Sequence, residues 1–427
     1  MLKKEFKIPY FFELFIITII TISISKINAI AGILSAIAFI ILYLIKKNYT
    51  KSILIIPIIL NMFLISDIPN KSLGMLGTII DKDDSKYKIM INKFYDENWK
   101  KTNKIYITYY SKFSVEPLKN GQKIYLYGKK QNNNIIKTDY IATKGNKSIL
   151  QIKDLIINQL KNRLKDPNTF DIVKSSIMGN IQNKEKFKKT GTLHLFAVSG
   201  FHVYIIYFII SKIINLLIYK KNIRLILSTI IINFYLILTG FSASSLRAVL
   251  LLSIINIFKI LDLQYDSLNI LSLIGYINLI IIPENLQNIG FLMSYSATFM
   301  ILYTNKKLNN SKIKNIIIPI SAYIGIFPIS LYSFGEISLS GIIITPIISP
   351  IIGLLILLGF FNILINSVIL QSFTNTISSG ILNFLKIFEN IPLLKIENNF
   401  LIFIIWCIIF IFYIIILNHL IKPRPLR

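Results

Sequence analysis

The sequence predicts a polytopic α-helical membrane protein with a small extracytoplasmic all-β domain of OB-like type. Three observations predict it. Mean hydropathy is +0.62, with 54% hydrophobic residues over 427 positions, too apolar for a soluble chain of this length. Several apolar runs approach the roughly 20 residues needed to span hydrocarbon. One polar block, residues 71–146, breaks the apolar pattern with short runs that alternate with period two.

The first apolar segments cover residues 9–25, 27–45 and 52–66. Lys3, Lys4 and Lys7 precede them and Lys46, Lys47 and Lys51 fill the second loop, whereas the first loop holds only Lys26. The positive-inside rule puts the N-terminus in the cytoplasm and the residues after Ser66 outside. The start, MLKKEFK followed by an apolar run and Ala29-Ile30-Ala31, imitates a signal peptide. Glu13 within the run, and a second apolar stretch directly after it, favour an uncleaved anchor.

In the polar block, KYKIMINKF, NKIYITYY and QKIYLYGKK are separated by Gly, Asn and Asp and read as strands. A block of about 75 residues suits a five-stranded barrel of OB type. Tyr106, Tyr109, Tyr110, Tyr125 and Tyr127 sit among Lys104, Lys112, Lys123, Lys129 and Lys130. Bases stack on aromatic rings and phosphates are neutralised by lysine, so Tyr106, Tyr109, Tyr125, Lys104 and Lys123 are candidate contacts for single-stranded DNA. Tyrosine also favours strands for packing and lysine blunts exposed edges, so the pattern has an ordinary structural reading as well. The net charge of +27 is discounted for the same reason: Ile, Lys and Asn are abundant together, and only the placement of charge is informative.

Residues 148–189 carry helical patterning, with Leu150, Ile152, Leu155, Ile156, Gln159 and Leu160 broadly on one face. A helix of this kind is expected along the outer membrane surface or against the barrel. Further spans are expected at residues 203–219, 223–238, 245–261, 268–282, 289–304, 315–334, 337–361 and 400–421. The half-polar stretch 362–399 leaves the count between 10 and 12. Alternating sides from an external barrel brings the basic clusters at 220–224, 306–314 and 422–427 to the cytoplasm, with both termini. The domains are thus 1–66 (N-terminal spans), 67–147 (β domain), 148–201 (amphipathic linker and motif) and 202–427 (membrane block). Cys407 is the sole cysteine, so the chain forms no internal disulfide.

Chemistry concentrates in two places. The first, TGTLHLFAVSGFHV (190–203), holds His194, Ser199, Gly200 and His202 and leads into an apolar run, where polar groups are costly. Helix capping would account for them equally well. The second, LTGFSASSLRAVLLLS (238–253), opens an apolar helix with Arg247 after Ser242, Ser244 and Ser245. A guanidinium there must snorkel, pair or face water, and its planar fork suits phosphate. Pro346 and Pro350, with Gly341 and Gly353, interrupt the run 337–361, as a cavity-lining broken helix or a simple kink would. No metal site is expected: on a helix His194 and His202 would be about 12 Å apart, with no cysteine or acidic cluster beside them. A Ser199–His202 hydrolase pair lacks a G-x-S-x-G elbow and an orienting acid. No cofactor is implied, and no G-x-x-x-x-G-K-[ST] loop provides for nucleotide hydrolysis.

Residues 190–203 resemble the HLLAISGLHV signature of the ComEC family, the inner-membrane DNA channel of bacterial natural competence. IMGN (177–180), LTGFSASSLRAVLLLS, DSLN (266–269), PENLQNIGFLMSYSA (283–297) and PISLYSFGEISLSG (328–341) resemble further family segments, in the family's order. The resemblance implies a non-enzymatic channel importing single-stranded DNA across the cytoplasmic membrane, the external OB-like domain receiving the strand. It implies that His194, Ser199, Gly200, His202, Ser244 and Arg247 belong to the channel or DNA path. Single-stranded DNA and membrane lipids are the implied partners, with a separate DNA receptor, helicase and nuclease, and homo-oligomer formation left open. Many family members carry a C-terminal metallo-β-lactamase-like domain. Here no H-x-H-x-D-H occurs, and strand degradation would fall to another protein. The alternatives are a membrane-embedded hydrolase using Ser199 and His202 and a small-solute transporter.

Overall fold

The computed structural model describes residues 10–27, 29–45, 54–57, 68–83, 86–109, 118–131, 135–144, 151–179, 181–182, 184–308 and 313–396, with scattered positions from 402 to 415. The third apolar segment and the final span fall largely outside the described residues, as does Cys407.

Two apolar helices, α1 (Tyr10–Ile27) and α2 (Ala29–Ile45), precede the β domain. The polar block then forms β1 (Ser72–Asp83), β2 (Lys86–Asp96), β3 (Asn98–Tyr109), β4 (Lys123–Gln131) and β5 (Ile135–Lys144), closed in the order β1-β2-β3-β5-β4. All pairings are antiparallel except β3 with β5. Closure follows from alternation: along β4, Ile124 and Leu126 point into the core while Lys123, Tyr125, Tyr127 and Lys129 point out. Met75, Ile79, Ile89, Ile91, Phe94, Tyr106 and Ile136 complete that core. Gly128 marks a register shift where a Cβ would come within 2.3 Å of the Lys137 carbonyl, so β4 can bend there only without a side chain.

Three short helices follow: α3 (Ile152–Arg163), α4 (Pro167–Met178) and α5 (Lys184–Lys189). Asp166 caps α4 by accepting from the Thr169 amide at 2.8 Å, and Pro167 takes the first turn. Of the two places expected for the amphipathic helix, α3 takes the second, since Lys153 and Asp154 hold it against the barrel at Asp81 and Asn120. Ile172, Val173 and Ile177 of α4 lie in the largest apolar core. α3 bridges two bodies, because its Asp154 holds the barrel at Asn120 while Arg163 donates to the Asn362 carbonyl at 2.7 Å.

The membrane block comprises α6 (Gly200–Leu217), α7 (Lys221–Leu238), α8 (Ala243–Ile260), α9 (Ser267–Ile281), α10 (Ile289–Lys307), α11 (Lys314–Phe334), α12 (Gly341–Leu364) and α13 (Val368–Lys386). The two-residue strands β6 (Glu336–Ile337) and β7 (Leu394–Lys395) pair antiparallel. Among the described residues, five helical segments are long and apolar enough to cross a membrane: 193–217, 221–238, 243–260, 316–334 and 341–364. Shorter apolar helices lie at 11–25, 33–42 and 267–281. Buried polar side chains tie the helices together where lipid offers no hydrophobic drive: Tyr207 donates to Asn256 at 2.9 Å, and Asn256 to Thr229 at 2.8 Å.

α12 is not broken, contrary to one reading of its prolines. It runs continuously through Pro346 and Pro350. Pro350 deprives the Pro346 carbonyl of its helical donor, and the Ser349 hydroxyl reaches that carbonyl at 3.5 Å. The two ends of the bundle differ in kind. Lys221–Asp262 (3.2 Å) and Lys306–Asp266 (2.6 Å) pair at one end. The α7–α8 loop at the other meets the barrel through Lys88.

Candidate functional site

The N-terminus of α6 needs donors satisfied, and Ser199 and His202 do this reciprocally as a capping box. His202 Nδ1 lies 2.8 Å from Ser199 Oγ and 3.2 Å from the Ser199 amide. His202 is fully buried, and among the described residues its Nε2 has no side-chain partner. The α7–α8 loop lies alongside. Ser242 caps α8 by accepting from the Ser245 amide at 3.3 Å. Ser245 is buried, with Thr239 and Ser242 hydroxyls at 2.9 and 2.8 Å. Ser244 donates to the Val198 carbonyl, which joins this loop to the turn that carries Ser199.

Arg247, one turn into α8, is 5% exposed. Its Nε donates to Ser294 at 2.8 Å and its Nη1 to Thr298, both on α10. The guanidinium also stands 6.0 Å from the Tyr295 ring centroid. Among the described residues no carboxylate pairs with it. The second terminal nitrogen faces Gly200, where a Cβ would lie 3.0 Å away. A side chain at Gly200 would thus press on the fork and make it give by a few tenths of an ångström. The result is a permanent positive charge, shielded from water and met by hydroxyls. That arrangement suits a transient anion, because an uncompensated buried cation gains most from a charge-assisted hydrogen bond.

Of the residues singled out in the sequence, Ser199, Gly200, His202, Ser244 and Arg247 thus converge. His194 sits on the 3-10 turn Leu193–Leu195, with Nε2 3.5 Å from the Thr345 hydroxyl of α12. Ser294 and Thr298 were not foreseen. Their i, i+4 spacing on an apolar helix was a signal, but only the tertiary fold shows what they face.

On the barrel, Tyr125 and Lys123 are exposed on β4 as expected. Tyr106 is a correction: it is fully buried in the barrel core, since its position on β3 points inward, and cannot stack on a base at the surface. The side chains of Tyr109 and Lys104 lie outside the described residues. Two pairs extend the exposed face instead, Tyr127 opposite Tyr140 and Lys129 opposite Lys137. Among the described residues no group of three His, Cys, Asp or Glu could hold a metal.

The sequence profile of the family described as "Competence protein" matches residues 180–422, a range that contains Ser199, Arg247, Ser294 and Thr298 but not the barrel. An uncharacterized protein of Mycoplasma genitalium is 28% identical over 165 residues, 38% of this chain and 42% of that protein. One of Aquifex aeolicus is 24% identical over 221 residues, 50% and 52% of the two chains. ComE operon protein 3 of Bacillus subtilis is 26% identical over 219 residues, 49% of this chain and 28% of that protein. The chain thus spans about half or less of the length of these curated relatives. No solved structure matches.

Proposed function

The chain belongs to the competence protein family, and from that premise we propose that it takes part in DNA uptake for transformation, admitting single-stranded DNA across the cytoplasmic membrane. The observation that carries this reading is Arg247, a buried guanidinium that donates to two hydroxyls and, among the described residues, meets no carboxylate. A passing phosphodiester supplies the missing negative charge. It can leave again, because Ser294 and Thr298 keep the cation solvated between contacts. The external face of Tyr125, Tyr127 and Tyr140, with Lys123, Lys129 and Lys137, offers stacking and neutralisation to the incoming strand.

Arg247→Ala blocks uptake while the protein reaches the membrane at its normal level. Arg247→Lys keeps the charge, loses the fork and impairs uptake only in part. The measurement is transformation frequency beside immunoblotted membrane abundance. Loss of abundance in step with transformation would make Arg247 a structural anchor.

One observation favours a second reading. The 2.8 Å contact of Ser199 with His202 is the geometry of a nucleophile and its base. Yet Nδ1 faces the serine while, among the described residues, no acid orients Nε2, and the contact also closes the α6 cap. Ser199→Ala abolishes function in a hydrolase. In a channel it removes only a cap, worth about 1 kcal/mol.

A further inference from the structure

The junction between barrel and membrane block holds three charged groups that the reading above does not use. Asp81 and Lys88 are cross-strand partners on β1 and β2, at the end of the barrel nearest the α7–α8 loop. Lys153, in the first turn of α3, places Nζ 2.5 Å from the Asp81 carboxylate, with only 4% and 11% of the two side chains exposed. The Asp81 carboxylate also rests on Gly240: φ there is +59°, and a Cβ would come within 2.2 Å of Oδ2. Lys88 reaches past this pair and donates to the carbonyls of Gly240 at 2.9 Å and Phe241 at 3.3 Å.

The cluster sets one carboxylate against two ammonium groups. Lys153 takes the carboxylate, and the backbone of the α7–α8 loop solvates Lys88 in place of water. Burial drives the Lys88 ammonium below the usual lysine range, with Asp81 opposing and Lys153 reinforcing the shift. Releasing those carbonyls would leave the ammonium short of partners, so the loop is bound by the cost of releasing it. Those carbonyls directly precede Ser242, the cap of α8, and lie within two turns of Arg247.

We infer that Lys88, held by Asp81 and Lys153, is a positioning residue that fixes the α7–α8 loop against the barrel and so sets where Arg247 stands relative to the β domain. Its consequence for DNA rests on the uptake reading; its consequence for the loop does not. α3 holds the barrel separately through Asp154 and Asn120, so loss of Lys88 frees the loop without detaching the domain.

The test uses full-length protein in detergent and in a transformable host that depends on it. Lys88→Met leaves the neutral Asp81–Lys153 pair intact and so preserves folding. Amide exchange at residues 240–245 becomes about tenfold faster in Lys88→Met, as loss of a charge-assisted hydrogen bond requires, and Lys88→Arg restores much of the protection. Transformation falls about tenfold in Lys88→Met at unchanged membrane abundance, and recovers in Lys88→Arg. Exchange that is unchanged in Lys88→Met overturns the positioning role, as does equal loss of abundance in both variants. Faster exchange with undiminished transformation upholds the grip on the loop and overturns its consequence for DNA, whereas a host whose transformation does not need the protein at all would overturn the uptake reading instead.

Discussion

At the scale of single residues, the site depends on how closely a guanidinium can approach a helix N-terminus. Gly200 permits that approach, and a Cβ there, 3.0 Å from the Arg247 fork, would push the fork back by a few tenths of an ångström. Gly200→Ala is therefore expected to lower transformation to about the level of Arg247→Lys, at normal membrane abundance. Combining the two changes should cost little more than either, because both remove the same contact. An additive double variant would show that Gly200 acts through the cap of α6 rather than through Arg247. Arg247 and Gly200 were legible in the sequence because a charge and a glycine beside apolar helices stand out there. Ser294 and Thr298 were not, since hydroxyls within an apolar helix commonly bond to their own backbone.

At the scale of elements, alternation decides which aromatic rings can meet a ligand. Tyr106 and Tyr127 read alike in the sequence, yet one fills the barrel and the other faces outward. Tyr127→Ala is expected to weaken single-stranded DNA binding by the full-length protein by about 1–3 kcal/mol, with little change in thermal stability. Tyr106→Ala should do the reverse in character, losing stability by about 3–5 kcal/mol through a core cavity. Binding titrations at fixed salt and thermal denaturation separate the two effects. Equal binding in Tyr127→Ala and wild type would remove the β4–β5 face from the DNA path. The strands themselves were legible from period two, but which parity of β3 faces inward is set by closure of the barrel. The prolines of α12 left a break and a kink open for a related reason: a local breaking signal is overruled when a serine hydroxyl reaches the freed carbonyl and the helix is held in a core.

At the scale of the whole molecule, the chain separates two chemistries along its helices. The barrel and the hydroxyl-rich loop meet at one end, while Lys221–Asp262 and Lys306–Asp266 mark the other. An 18-residue helix such as α7 is about 27 Å long, enough to put these ends on opposite faces of a hydrocarbon layer. In a background with Cys407 replaced, Lys129→Cys should therefore label with an impermeant thiol reagent in intact cells, and Lys307→Cys only after permeabilisation. Labelling of both from one side would overturn the orientation.

The sequence by itself determined the class of the protein, the β domain and the family, because composition, period and motif order are local properties that survive without coordinates. It also named most of the residues around Arg247, since a charge among apolar neighbours is conspicuous wherever it lies. It took the folded chain to show that α3 lies against the barrel, that Tyr106 is hidden, that Ser294 and Thr298 receive the guanidinium, and that Lys88 grips the loop beside it. Each of these is a contact between segments far apart in the chain. The free energy of such a contact depends on what is buried against what, and no single stretch of sequence carries that information.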